Sequence, residues 1–193
     1  MAMRKIGLIV LALILFAGLA SAQVPTSVNV FFGYSYYNAS ALPVETGRSN
    51  LNGWEGSFEA KIIPWVGMVG DVSEHYYGGV SSCPPPVQPA GSGPGQSSCS
   101  NVIEHEQNFL FGPRVSISVR KFRPFAEALF GGGHVNTNGI GSDTSFATAL
   151  GGGLDYKIIR PVAWRFQGDY VQTRFFGATQ SNVRLSTGIV LRF

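Results

Sequence analysis

In Val162-Ala163-Trp164-Arg165-Phe166-Gln167-Gly168-Asp169-Tyr170, the apolar side chains Val162, Trp164, Phe166 and Tyr170 alternate with Arg165, Gln167 and Asp169. A two-residue period puts the first set on one face of an extended strand and the second set on the other. The same period recurs along the chain. Val28, Val30, Phe32, Tyr34 and Tyr36 alternate with Asn29, Phe31, Gly33, Ser35 and Tyr37, and Trp54, Gly56, Phe58, Ala60 and Ile62 alternate with Glu55, Ser57, Glu59 and Lys61. Val66, Met68, Gly70 and Val72 oppose Gly67, Val69, Asp71 and Ser73, and Phe109, Phe111, Val115, Ile117 and Val119 oppose Asn108, Gly112, Arg114, Ser116 and Ser118. Further runs centre on Ala126-Glu127-Ala128, on Phe146 to Tyr156 around Asp155, and on Val183 to Phe193 around Arg184, Ser186 and Arg192. Downstream of Gln23 no segment sustains a 3.6-residue period. The expectation is eight strands and no helix.

The connections sort by length. Short links follow strands two, four and six, at Pro64, at Arg120-Lys121-Phe122-Arg123 and at Ile158-Ile159-Arg160-Pro161. Longer polar links follow strands one, three, five and seven, over residues 38–50, 76–101, 135–144 and 173–181. Membrane barrels divide short periplasmic turns from long external loops in this way, whereas a soluble meander has no reason to sort loops by end. Residues 23–193 therefore read as an all-β, eight-stranded antiparallel up-and-down transmembrane β-barrel with both termini periplasmic.

Alternation alone is symmetric. A soluble, lipocalin-like ligand-binding barrel turns its apolar set inward, and a membrane barrel turns it outward. Two features favour the membrane. Tyr34, Tyr36, Trp54, Tyr156, Trp164, Tyr170 and Phe193 lie on the apolar face toward strand ends, as interfacial girdles do. Only 13% of residues are charged, few for a water-facing surface. An eight-stranded lumen has room only for side chains, so inward charges must pair. The inward acids are Glu55, Glu59, Asp71, Glu127, Asp155 and Asp169; the inward bases are Lys61, Arg114, Arg165, Arg184 and Arg192. Threading the strands places Glu59, Glu127, Asp155, Arg165 and Arg192 in a periplasmic layer, with Glu55, Asp71, Arg114, Asp169 and Arg184 further out.

The N-terminus reads as a signal peptide over residues 1–22. Arg4 and Lys5 precede an uncharged apolar run from Ile6 to Ala20, and Ala20-Ser21-Ala22 supplies the small-x-small cleavage pattern. Fifteen apolar residues fall short of the roughly 20 that a membrane helix needs. Without Arg4 and Lys5, twelve basic residues face eleven acidic ones, which excludes a concentrated basic face for nucleic acid. In an exported chain the only two cysteines, Cys83 and Cys99, are expected to form a disulfide closing part of loop 76–101. Such a bond is worth about 3 kcal/mol in the chain-entropy model.

Phe193, on the apolar face of the last strand, is similar to the carboxy-terminal aromatic residue by which outer-membrane barrels are recognised for insertion. With the export signal, the eight strands and the loop alternation, residues 23–193 resemble the OmpA-type eight-stranded outer-membrane β-barrel superfamily. That resemblance implies a Gram-negative outer membrane, contact with its lipid, and handling by the barrel-assembly machinery during insertion. It implies a structural or surface-interaction role and no cofactor. The peptidoglycan-binding domain that many such proteins carry is not expected after Phe193.

Glu74-His75 and Glu104-His105-Glu106 would face each other across a hairpin, and imidazoles with carboxylates suit zinc, but the spacing matches no established ligand motif, so no metal is expected. A lipid A-modifying enzyme is the second functional reading. It needs a nucleophile–base pair such as His134 with Ser142 or His75 with Ser73, and no Gly-x-Ser-x-Gly elbow selects either, so no catalysis is expected. Gly131-Gly132-Gly133 and Gly151-Gly152-Gly153 lack the helix that a phosphate loop requires, and are read as sites of curvature or close approach, side by side on strands five and six. Loop 76–101, stiffened by Pro84-Pro85-Pro86 and loosened by Gly91 to Gly95, is the candidate surface for an extracellular partner.

Overall fold

The computed structural model describes residues 27–40, 48–82, 100–137 and 141–193. Eight strands follow one another: β1 (Ser27–Ser40), β2 (Arg48–Ile63), β3 (Val66–Ser82), β4 (Ser100–Ser116), β5 (Phe122–Thr137), β6 (Gly141–Lys157), β7 (Val162–Thr173) and β8 (Gln180–Arg192). Each pairs antiparallel with its sequence neighbours, and β1 pairs with β8 from Asn29↔Arg192 to Asn38↔Val183, so the sheet closes into a barrel without edges. Closure removes the unpaired backbone groups that hydrocarbon would not solvate.

The two faces sort as a membrane barrel requires. Outside, Leu150 is 66% exposed, Phe58 51% and Trp164 37%, with Ile189 on the same face; inside, Glu127 is 3% exposed and Arg165 1%. The inward-apolar, lipocalin-like alternative is overturned by this orientation. All seven aromatic residues of the expected girdles point outward. Because that surface meets lipid tails, Leu150→Arg is expected to destabilise the inserted barrel by about 2–4 kcal/mol. Urea titration in lipid vesicles reads the loss, and an unchanged midpoint would mean that Leu150 meets water.

Strand bounds differ from the sequence reading at both ends of the barrel. β3 and β4 continue their ladder as far as Ser82↔Ser100, so residues 76–82 and 100–101 of the expected loop belong to strands. At the opposite end β4 stops at Ser116, short of the expected Val119; a Val119↔Phe122 bridge and Arg120, with φ of 55°, turn the chain directly into β5. The two glycine triplets are not side by side. Antiparallel pairing sets Gly131↔Ala147 and Gly151↔Glu127, which places the two triplets on different stretches of the β5–β6 ladder.

The lumen is not ionic throughout. Tyr37, Leu51, Val69, Leu110, Leu129 and Val171 belong to a buried apolar cluster, and Phe31 and Phe125 lie among the charges. Long guanidinium side chains need such flat apolar partners: Arg114 and Arg165 lie 4.4 and 4.6 Å from the centre of the Phe125 ring.

Candidate functional site

The centre of the lumen is organised by Arg184, which β8 projects inward and which is completely buried. Its guanidinium contacts Asp71 of β3 at 2.8 Å, Asp169 of β7 at 2.8 Å and Glu55 of β2 at 3.3 Å. It also donates to Ser73 Oγ at 3.1 Å, and Ser186 Oγ donates to Glu55. One base therefore ties four strands together across the barrel. A planar five-donor fork can do this; a lysine point charge cannot.

Nearer the short turns the pairing is denser in bases. Arg114 binds Glu127 at 2.5 Å and Glu59 at 3.6 Å, Arg123 binds Glu59 at 2.8 Å, and Arg165 and Arg192 share Asp155 at 2.7 and 3.0 Å. Lys61 Nζ donates to Pro64 O at 2.6 Å and to Ser116 Oγ at 3.1 Å. Gln167 Nε2 joins the two sets, lying 3.0 Å from Glu55, 2.9 Å from Glu127 and 2.9 Å from Asp169.

The structure thus brings Glu55, Asp71, Asp169 and Arg184 together, and Glu59, Glu127, Asp155, Arg165 and Arg192 into the neighbouring set. Arg114 corrects the threading, which expects it in the outer layer: it sits with the inner one, because the β4–β5 register sets it directly opposite Glu127. Arg123 was missed. The sequence reading places it in the β4–β5 turn, yet it shares its inward parity with Phe125 and Glu127, and it is buried. The layers are consequently polarised. The set nearer the short turns holds five bases (Lys61, Arg114, Arg123, Arg165, Arg192) against three acids, whereas Arg184 alone faces three carboxylates.

No family model matches the chain, and no curated protein matches it. Among solved structures, the attachment invasion locus protein Ail of Yersinia pestis superposes with a TM-score of 0.57 at 15% identity, covering 88% of this chain and 100% of Ail. Neisserial surface protein A superposes with a TM-score of 0.64 at 12% identity, covering 86% of this chain and 97% of that one. This is the fold of the eight-stranded outer-membrane barrels. The likeness and the apolar exterior together place the chain in an outer membrane.

In such a barrel, alternation decides which rim residues can meet. Glu74 and His105 are on the outer face, 2.6 Å apart, where Glu74 also accepts from Trp54 Nε1 at 3.0 Å and Gln107 Nε2 at 2.7 Å. His75 and Glu106 are inside: His75 stacks on Tyr37 at 4.6 Å and lies 2.9 Å from Ser35 Oγ, and Glu106 accepts from Tyr37 Oη at 2.9 Å. The wall of the barrel separates the residues considered for zinc, and no three His, Cys, Asp or Glu among the described residues are grouped to hold a metal.

Neither pair considered for lipid chemistry forms a nucleophile–base pair facing lipid. His134 bonds Thr144 at 2.8 Å, whereas Ser142 lies opposite Asn136. His75 and Ser73 both face the lumen, with Ser73 engaged by Arg184. Cys83, Cys99 and residues 1–22 lie outside the described residues.

Proposed function

We propose that the mature chain is a closed, non-conducting outer-membrane barrel that serves as a structural scaffold and displays its β3–β4 hairpin to an extracellular partner. The observation that carries the reading is Arg184 held by Asp71, Asp169 and Glu55 across the full width of the lumen. A permeating ion would have to displace that guanidinium from three carboxylates at once, and the apolar cluster around Leu51, Leu110 and Leu129 offers it no replacement for hydration.

Outer-membrane lipid covers the exterior, and the barrel-assembly machinery inserts the chain by reading the outward aromatic Phe193. The two lumen sets tie distant strands, which suits a membrane-stabilising element. Ail has also been solved with the heparin analogue sucrose octasulfate bound. Residues 76–101 of this chain contain no charged residue, so the partner that suits its longest hairpin is an uncharged surface rather than a polyanion.

Purified mature protein refolded into planar bilayers is expected to give a flat current trace over the range of potentials the bilayer withstands. A steady open level in most insertions would overturn the closed-lumen reading.

A further inference from the structure

Among the described residues, the charged side chains that stand outside the lumen at the short-turn end are all cations, with Lys157 half-buried and the others exposed. Arg120 and Lys121 form the β4–β5 turn, and Lys157 and Arg160 flank the β6–β7 turn. The two turns touch, since Lys157 N donates to Lys121 O at 2.8 Å. The acids of this end, Glu59, Glu127 and Asp155, are all buried in the lumen, so among the described residues no exposed carboxylate side chain neutralises the four cations. The lumen behind them has the same sign, because its inner set holds more bases than acids.

The cations are not spread around the rim. The β2–β3 turn, Ile63-Pro64-Trp65-Val66, has no charge at all. On the cationic side, Phe122, Tyr156, Ile158 and Ile159 are exposed directly beside Lys121, Lys157 and Arg160. A cavity beside them is lined by Lys157, Ile159, Arg160, Pro161, Arg192 and Phe193. Apolar and aromatic side chains interleaved with cations at the edge of a lipid-facing belt match the boundary between acyl chains and phosphate headgroups.

We infer that this sector of the barrel is a binding site for anionic phospholipid of the inner leaflet, with the phosphate held among Lys121, Lys157 and Arg160 and the acyl chains against Ile158, Ile159 and Phe122. The inference rests on the membrane-barrel reading and adds a lipid class to it. The opposite rim differs: its exposed cations Arg48 and Arg174 stand on separate strand ends, and Arg48 is engaged by Asn38 and by Ser181 O at 3.3 Å.

The test uses mature protein refolded into phosphatidylcholine vesicles carrying trace spin-labelled phosphatidylglycerol or spin-labelled phosphatidylcholine. Electron paramagnetic resonance gives the relative association of the two labels with the barrel, and heat-dependent gel mobility reports insertion separately. Wild-type protein is expected to prefer the anionic label by about three-fold, falling toward parity at high salt. The exposed-turn variant R120Q/K121Q/K157Q/R160Q is expected to insert and to lose the preference, and R48Q/R174Q is expected to keep it. Equal selectivity in wild type and the turn variant, with both inserted, overturns the inference and leaves the cations facing a soluble polyanion in the periplasm. Failure of the wild type to insert would instead overturn the membrane reading beneath it.

Discussion

Arg184→Met is expected to destabilise the folded barrel by about 3–5 kcal/mol, the cost of stranding a buried charge cluster without its counter-ion. The methionine replaces most of the volume and none of the charge. Glu55, Asp71 and Asp169 would then face one another inside a lumen where each is at most 3% exposed. Ser73, Ser186 and Gln167 remain as hydrogen-bond donors or dipoles, yet none can neutralise three carboxylates. The measurement is the urea midpoint of the protein in detergent micelles or thin-bilayer vesicles, followed by tryptophan fluorescence and gel mobility.

A companion variant and a change of pH separate charge from packing. R184M/D71N/D169N, which removes two of the three stranded charges, is expected to recover more than half of the loss. Acidifying the medium until carboxylates protonate is expected to narrow the gap between R184M and wild type, since only the variant is relieved by losing negative charge. If R184M unfolds within about 0.5 kcal/mol of wild type, the ordinary span of an inconsequential substitution, the lumen is hydrated and screened, and the closed-barrel reading loses its support.

The fold was legible because two periodicities agree. The alternation around Trp164, Arg165 and Phe166 places residues on faces, and the short turns at Pro64, Arg120 and Arg160 count the strands. Both are local, and neither depends on where a side chain ends. What was not legible depends on register and reach. The layer of Arg114 is set by the β4–β5 register, which places it opposite Glu127 and which alternation within one strand does not specify. Arg123 was hidden by a cluster of charged residues that looks like a solvated turn, although its parity with Glu127 was available. His75 and His105 looked like neighbours across a hairpin, and they are neighbours in register only obliquely: strict alternation sends one into the lumen and the other to the lipid rim. The apolar cluster inside the lumen was obscured for the same reason that made the pattern useful. Val69, Leu110 and Val171 occupy inward positions between glycine, polar or charged ones, and a two-letter reading of each strand absorbs them as exceptions.

The glycines complete the account of the lumen, and they carry the second large effect. Gly188→Val is expected to prevent closure of most molecules, lowering stability by more than about 3 kcal/mol through steric conflict with backbone. Gly33 and Gly188 are paired across the β1–β8 seam, where the first and last strands must meet. A Cβ built on Gly188 would run into Phe32 O and Gly33 Cα, and one built on Gly33 would lie 2.8 Å from Gly188 Cα. Backbone cannot swing aside as a side chain does.

The same two positions flank long charged residues: Gly33 pairs with Glu55 and Gly188 with Arg165, just as Gly67 pairs with Arg114 and Gly151 with Glu127 and Asp169. Inward glycine beside inward charge is how so narrow a cylinder accommodates guanidinium and carboxylate side chains at all. Gly70→Val is the matched control, because its Cβ would point outward with nothing within 4 Å. Valine suits a strand facing lipid, so that variant is expected to fold at least as well as wild type. Refolding yield by gel mobility distinguishes the two. Equal yields would mean that the seam tolerates a side chain, and the crowding argued for the lumen would be wrong; a defect confined to Gly188→Val ties closure of the sheet to the space its buried charges require.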